Sequence, residues 1–142
     1  MAVSHEVSVT VRWSDVDLAG IVFYPRFFEW FYLGTEALFE SLGMPWPALF
    51  PRYRIVGVPI VESGARFASP VRYGDELRIL STVAEIRSKT FRMEHEARVG
   101  TTTCATGFEA RAWVAVPAEP GGRLQALPVP VEVARRLRGE GA

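Results

Sequence analysis

Apolar and polar residues alternate strictly near the start of the chain. The apolar positions there are Val7, Val9, Val11 and Trp13. A period of two is typical of a half-buried β-strand, because successive side chains point to opposite faces. The same reasoning predicts four further strands, over residues 55–67, 76–87, 90–99 and 103–116. Short turns between the last three predict antiparallel hairpins.

A long apolar segment after the first strand predicts a helix over residues 25–42. Pro25 suits its first position, where a missing N–H costs least, and Gly43 suits the position just past its end. Most of the helix surface is apolar, so other elements must surround it. We therefore predict an α+β fold with one domain over residues 1–142, in which an antiparallel sheet of about five strands wraps around one long central helix. The open edges of such a sheet predict at least a dimer.

Two shorter segments complete the predicted order of elements. A loop is expected over residues 44–52, where three prolines fall close together. A short helix is expected over residues 131–137, after two more prolines.

Composition narrows the class of protein. The chain has 142 residues, of which 49% are hydrophobic and 23% charged, with a formal net charge of zero. This balance is typical of a globular domain and provides no overall field to attract nucleic acid or a membrane. The single cysteine, Cys104, excludes an internal disulfide. Residues 1–8 lack the pattern of a signal peptide and no apolar run reaches ~20 residues, so we expect a cytoplasmic protein.

Two of the three aspartates lie between the first strand and the helix. Asp15 and Asp17 fall within residues 13–25, the stretch that ends at the helix start. A carboxylate beside a helix N-terminus can attack a carbonyl, or activate water to attack it, while the helix amides stabilise the oxyanion. Both side chains can instead cap the turn and the helix. No group of Cys and His has the spacing of metal ligands, so no metal or other cofactor is expected.

The residues of this stretch resemble a known family. They read Asp15-Val16-Asp17-Leu18-Ala19-Gly20-Ile21-Val22, followed by Phe23-Tyr24-Pro25. This order is similar to the motif of the hotdog-fold acyl-CoA thioesterases, in the branch of 4-hydroxybenzoyl-CoA thioesterase and the YbgC-like proteins. Weaker matches follow in the same order at residues 55–61 and 87–91. The resemblance implies a hotdog fold and hydrolysis of an acyl-CoA to a free acid and coenzyme A.

The resemblance also implies roles for the loop and the helix start. Asp17 matches the catalytic carboxylate of the family, which acts as a nucleophile or as the base that activates water. Backbone N–H groups near Phe23 and Tyr24 would polarise the thioester oxygen, and Gly20 would let the backbone approach the substrate. Asp15 is expected to organise the turn.

Binding roles carried over from the family lie elsewhere in the chain, because the acyl pocket of such enzymes is shared between the subunits of a dimer. By position, the predicted pocket residues are Tyr32, Ile60, Val61, Glu62 and Ser63. Tyr32 stands where some 4-hydroxybenzoyl-specific members carry a carboxylate. Arg87 and Lys89 are expected either to meet coenzyme A phosphates or to form a solvated turn. A homodimer or a homotetramer (a dimer of dimers) is expected, with neither nucleic acid nor a membrane as partner.

Two alternative functions remain open on the sequence. A hotdog dehydratase needs a histidine base with a carboxylate partner, and the only histidines are His5, near the chain start, and His95, on the apolar face of a strand. His95 is expected to be a packed core residue. A non-enzymatic acyl-CoA sensor would keep the pocket but lose the carboxylate, whereas this chain keeps Asp17. Hydrolysis of a short-chain or aromatic acyl-CoA is therefore the favoured interpretation.

Overall fold

The computed structural model describes residues 2–140 as three helices and eight strands. The helices are α1 (Pro25–Ser41), α2 (Trp46–Tyr53) and α3 (Val131–Leu137). The strands are β1 (Ser4–Thr10), β2 (Ile55–Gly57), β3 (Ile60–Phe67), β4 (Glu76–Ile86), β5 (Thr90–Val99), β6 (Thr102–Ala112), β7 (Val114–Ala115) and β8 (Gln125–Ala126). Five strands form an antiparallel sheet in the order β1-β4-β5-β6-β3, and a small sheet has the order β2-β7-β8.

Helix α1 packs on one face of the five-stranded sheet, which confirms the predicted hotdog arrangement. It contacts β1, β4, β5 and β6 through a side that is largely aromatic, including Phe27, Phe31 and Phe39. Gly34 allows the helix and the sheet to approach closely, because a Cβ at this residue would collide with Ser81 Oγ on β4.

The apolar core has two parts, one for each half of α1. Around the first half, Phe27 and Phe31 belong to a cluster with Ile79 of β4. Around the second half, Phe39 packs against Trp46 of α2, with ring centroids 5.8 Å apart, and α3 joins the same cluster. The first cluster therefore holds the start of α1 against the sheet, and the second attaches the two short helices to its end.

One predicted loop is a helix. The structure has α2 where a proline-rich loop was expected, and that prediction was wrong. Pro45 precedes the helix and Pro47 falls in its first turn, where no backbone N–H is needed. Only Pro51 lies far enough inside to cost the helix a hydrogen bond.

Two predicted strands are divided, and the first strand is shorter than expected. The strand predicted over residues 55–67 splits into β2 and β3, because Pro59 has no N–H to continue the pairing and Gly57 turns the chain at φ +150°. The strand predicted over residues 103–116 divides at Trp113 into β6, which belongs to the large sheet, and β7, which belongs to the small one. Beyond β1, Trp13 lies in a separate 3-10 turn, Trp13–Asp15.

Strand β3 forms one edge of the large sheet. Within residues 2–140 no strand pairs with its outer side. Its exposed apolar side chains are Ile60, Val61 and Phe67. None of the helices described between residues 2 and 140 has the length and apolar character needed to cross a membrane.

Candidate active site

The segment after β1 folds into a tight hairpin-like turn. Phe23 N–H donates to Asp15 O at 2.8 Å, and Asp17 N–H donates to Ile21 O at 3.0 Å. Gly20 closes the turn in the left-handed region at φ +79°, and a Cβ at this residue would touch nothing within 4 Å. Glycine is therefore needed here for its backbone conformation.

The two aspartates of this turn have different environments. Asp15 Oδ2 accepts the Arg12 N–H at 2.8 Å and Oδ1 lies 3.5 Å from Arg26 Nε, so this carboxylate ties the turn to the start of α1. Asp17 Oδ1 accepts the Ala19 N–H at 2.8 Å, while Oδ2 has no hydrogen-bond partner among the described residues. Asp17 is exposed and forms no salt bridge in the same part of the chain. Asp15 therefore has a structural role, and Asp17 is a free carboxylate in a fixed position.

The start of α1 offers one free amide where two were expected. Phe23 N–H is already donated to Asp15 O, so it is not available to polarise a substrate carbonyl. Tyr24 N–H, at the N-cap, is donated to no acceptor in the described part of the chain, and Pro25 has no N–H. The expectation for Phe23 is corrected accordingly, because closing the turn consumes its amide. Tyr24 is left at the positive end of the helix dipole.

An open apolar cleft lies beside this turn. Its volume is about 500 Å³, within the range of small-molecule sites. The lining residues are Ile21, Val22, Tyr24, Phe27 and residues 67–71. Phe67 packs against Tyr24 and Phe27, with ring centroids 6.2 and 5.3 Å apart. Asp17 does not line the cleft. Its backbone N–H donates to the carbonyl oxygen of Ile21, which does line it. The cleft therefore has an aromatic wall, and the turn that carries Asp17 leads into its lining at Ile21.

The predicted acyl-pocket residues lie away from this cleft within one chain. Tyr32 is two helical turns along α1 from Tyr24, or about 12 Å. Residues 60–63 occupy the end of β3 opposite to Phe67. All of them are exposed, and Glu62 and Ser63 pair with β6 on one side of β3 only. One chain alone therefore does not bring these residues to Asp17.

The predicted coenzyme A residues are also remote. Arg87 and Lys89 form the hairpin between β4 and β5. The other end of β4 is Glu76, which pairs with Thr10 just before the Asp17 turn. Because β4 has 11 residues, the hairpin lies roughly 35 Å from that end of the sheet.

A buried polar cluster lies between α1 and the sheet. His95 Nδ1 is 2.8 Å from Ser81 Oγ, and Nε2 is 3.2 Å from Glu109 Oε1. Thr35 Oγ1 of α1 donates to the same Glu109 oxygen at 2.5 Å. Arg111 donates to both carboxylate oxygens, each at 3.1 Å. All five residues are buried, so the cluster attaches α1 to the sheet and is closed to substrate. His95 is packed in the core, as expected.

The charge state of this cluster follows from its contacts. Burial raises the pKa of Glu109, but hydrogen bonds from His95 and Arg111, and their charges, outweigh burial and lower it from 4.5 to about 2. Glu109 is therefore charged at neutral pH, with Arg111 as its counter-ion. Arg111 Nη1 also donates to Val58 O at 2.8 Å, and its guanidinium lies 4.6 Å from the centre of the Tyr32 ring. Within residues 2–140, no group of three or more His, Cys, Asp or Glu side chains is arranged to hold a metal ion.

The cleft wall and the charged members of this cluster were not predicted from the sequence. Phe67 and Pro70 lie where a strand ends, and no local pattern indicates which wall such residues form. Glu109 and Arg111 did give a signal, because they alternate with Gly107 on the side of β6 that faces α1. Opposite charges at that spacing on a helix-facing strand indicate a buried ion pair.

Comparison with known proteins supports the resemblance seen in the sequence. A sequence profile of the thioesterase-like superfamily matches residues 11–137. The 4-hydroxybenzoyl-CoA thioesterase of Pseudomonas sp. strain CBS-3 is 33% identical over 96 residues, which are 67% of this chain and 68% of that protein. The 1,4-dihydroxy-2-naphthoyl-CoA hydrolase of Synechococcus sp. strain CC9311 is 29% identical over 129 residues, which are 87% of this chain and 83% of that protein.

A solved structure shows the same architecture. It is an aspartate-to-asparagine mutant of 4-hydroxybenzoyl-CoA thioesterase complexed with 4-hydroxybenzoyl-CoA. The TM-score is 0.88 at 28% identity, and the alignment covers 96% of this chain and 99% of the other. The chain therefore belongs to the thioesterase-like superfamily and is a thioesterase of the hotdog fold.

Proposed function

We propose that the chain hydrolyses an aromatic or short-chain acyl-CoA, with Asp17 as the nucleophile or as the base that activates water. The observation that carries this proposal is the Asp17 carboxylate, which has no counter-ion in the described residues and accepts the Ala19 N–H on a turn that leads into an apolar cleft at Ile21. The two relatives named above act on aromatic acyl-CoA esters. The aromatic wall formed by Tyr24 and Phe67 supports the same class of acyl group.

In the proposed reaction, water converts the thioester into a free acid and the thiol of coenzyme A. The thioester oxygen accepts a hydrogen bond from Tyr24 N–H, where the helix dipole also stabilises the developing negative charge. Asp17 attacks the acyl carbon to form a mixed anhydride that water cleaves, or it removes a proton from the attacking water. The thiolate leaves and takes a proton from solvent, so no separate general acid is needed.

A second copy of the chain completes the site in this proposal. The outer edge of β3 is unpaired within the described residues and carries exposed Val61. Two β3 strands pairing antiparallel across a two-fold axis satisfy both edges and continue the sheet. Because the strands then run in opposite directions, the partner subunit's Ile60 comes beside Phe67 and the cleft. The partner's β4–β5 hairpin, with the partner's Arg87 and the partner's Lys89, moves to the same end of the sheet as Asp17.

The acyl specificity in this proposal depends on Tyr32. Its ring is held by the Arg111 guanidinium on one side and by Trp46, whose ring meets it edge to face at 5.5 Å and 89°. Tyr32 replaces a carboxylate that would accept a hydrogen bond from a phenolic substrate. An aromatic acyl group without a phenolic hydroxyl is therefore the better fit to a pocket that includes the partner's Tyr32.

A hydrolysis screen tests the proposal. Thiol release is measured with short straight-chain acyl-CoA esters and with benzoyl-, phenylacetyl- and 4-hydroxybenzoyl-CoA. We expect the highest kcat/KM with an aromatic ester that lacks the phenolic hydroxyl. The expected order among the aromatic esters is wrong if 4-hydroxybenzoyl-CoA is cleaved best. A protein that binds acyl-CoA esters but cleaves none of them is a sensor, and hydrolysis is then refuted.

A further inference from the structure

Arg111 contacts two different elements that carry predicted acyl-pocket residues. Its guanidinium lies over the ring of Tyr32 on α1, with Cζ 4.6 Å from the ring centre. Its Nη1 donates to Val58 O at 2.8 Å, and Val58 stands two residues before Ile60, where β3 begins. One side chain of β6 therefore joins the helix residue to the start of the edge strand.

The guanidinium of Arg111 is held in one position by its own hydrogen bonds. Nε and Nη2 each donate to the Glu109 carboxylate at 3.1 Å, and Nη1 donates to Val58 O. Glu109 in turn accepts a hydrogen bond from Thr35 of α1. Arg111 is buried, so water does not compete for these donors. A planar group with all three nitrogens bonded forms a rigid surface on which an aromatic ring can rest.

Tyr32 has few other contacts to fix its ring. The residue is 46% exposed, and its ring meets Trp46 edge to face at 5.5 Å. Trp46 is itself buried, stacks on Phe50 and lies 5.5 Å from the same guanidinium. A half-exposed tyrosine without such support exchanges between rotamers. Arg111 and Trp46 therefore hold the Tyr32 ring in one orientation and leave its exposed part free to contact a ligand.

We propose that Arg111 is a positioning residue for the acyl pocket of the partner subunit, where it fixes the Tyr32 ring against which an aromatic acyl group packs. The inference rests on the proposed function, because the dimer of that proposal brings Tyr32 and Ile60 to the cleft of the partner subunit. Arg111 itself touches no substrate, since it is buried beneath Tyr32. Its effect is therefore confined to acyl groups that are large enough to reach the ring.

The ratio of kcat/KM for benzoyl-CoA to kcat/KM for acetyl-CoA tests this role, because a loss of folded protein lowers both values equally. Arg111→Lys keeps the charge but loses the planar group, and Glu109→Gln/Arg111→Met leaves no unpaired charge in the core if the first variant does not fold. We expect kcat/KM to fall about tenfold for benzoyl-CoA and to change less than about twofold for acetyl-CoA. Equal losses with both substrates, or an unchanged ratio in both variants, overturn the inference.

Two further variants separate Tyr32 from the rest of the buried cluster. Ser81→Ala is the matched control, because it removes the contact with His95 at 2.8 Å in the same cluster but away from Tyr32; it should keep the wild-type ratio. Tyr32→Leu should lower the ratio, and adding Arg111→Lys to it should lower the ratio no further, since both act through one ring. A lowered ratio in Ser81→Ala, or effects of Tyr32→Leu and Arg111→Lys that multiply, contradict the inference.

Mixed dimers test whether Arg111 acts across the subunit interface. One subunit carries Asp17→Asn and the other carries Arg111→Lys, and different affinity tags allow the mixed dimers to be purified. Each mixed dimer then has one site in which the Asp17 of one subunit meets the unchanged Arg111 of the other. We expect the wild-type ratio, with about half of the wild-type activity per dimer. The lowered ratio of Arg111→Lys in the mixed dimers means that Arg111 acts within its own subunit, which overturns the inference.

Binding of thioethers separates a failure of this inference from a failure of the proposed function. S-benzyl-CoA and S-ethyl-CoA cannot be hydrolysed, and isothermal titration measures the affinity for each. We expect the Arg111 variants to lose affinity for S-benzyl-CoA and to keep it for S-ethyl-CoA. A wild type that cleaves no acyl-CoA while the variants show this change supports the inference and refutes hydrolysis. Cleavage by the wild type with unchanged preferences in the Arg111 variants refutes the inference alone.

Discussion

Replacing Arg111 by methionine should destabilise the fold by about 3–5 kcal/mol, the usual cost of removing one partner from a buried ion pair. Arg111 and Glu109 are both almost fully buried, 3.1 Å apart. Arg111→Met fills similar space but leaves the Glu109 carboxylate in the core without its counter-ion. It also leaves Val58 O without the N–H that it accepts at 2.8 Å.

The low pKa of Glu109 makes the stability that this cluster contributes depend on pH. Its lowering from 4.5 to about 2 corresponds to about 3 kcal/mol in favour of the charged form. Since the pKa is lower in the folded protein than in the unfolded chain, this stabilisation is fully present above about pH 4.5. It is lost as the pH falls from there toward 2. At neutral pH the stabilisation from the charged Glu109 is therefore fully present.

Urea unfolding followed by circular dichroism measures the cost of Arg111→Met, at one fixed protein concentration because the fold is expected to be oligomeric. The matched control is Arg87→Met. Arg87 pairs with Glu85 at 3.0 Å with the same spacing in sequence, but both groups are exposed. The control should cost about 0–1 kcal/mol. If Arg111→Met costs no more than Arg87→Met, the buried pair does not stabilise the fold as described.

Three other changes give distinct results. Glu109→Gln should make the free energy of unfolding less dependent on pH between about 4.5 and 2 than it is in the wild type. Urea unfolding at several pH values measures this dependence. The same dependence in both proteins would contradict the low pKa of Glu109. Gly20→Ala should cost about 1–2 kcal/mol and lower kcat, because alanine is strained at φ +79°; thermal unfolding and steady-state kinetics measure both. Val61→Lys should shift the protein toward monomer in analytical ultracentrifugation, whereas Val131→Lys, at an exposed position of α3, should not. An unchanged sedimentation coefficient in Val61→Lys places the interface elsewhere.

The sequence predicts the helices and strands whose ends depend on residues at those ends. Helix α1 begins at Pro25 and is followed by Gly43 in a left-handed conformation, as expected from the two residues alone. Helix α2 was missed because its prolines suggest a loop, although two of them stand where a helix tolerates proline. The break between β2 and β3 depends on which sheet each half joins, and no local pattern contains that information.

The candidate site was predictable in its chemistry but only partly in its geometry. Asp17 and Gly20 were identified from the residues around them and from a family motif. The loss of the Phe23 amide to Asp15 O depends on how the turn closes, which neighbouring residues do not determine. The position of the cleft wall at Phe67 depends on the pairing of β3 with β6, a contact between segments far apart in the sequence.

The proposed function makes hydrolysis depend on the negative charge of Asp17, and the kcat of the Asp17→Asn variant tests this dependence most directly. Asparagine keeps the oxygen that accepts the Ala19 N–H, so the turn should remain folded. With an aromatic acyl-CoA we predict a loss of at least ~10²-fold in kcat, with substrate affinity and thermal unfolding close to wild type. Glu40→Gln removes an exposed carboxylate at the other end of α1 and should keep the wild-type kcat. A wild-type kcat in Asp17→Asn would contradict the assignment of Asp17 as the catalytic carboxylate.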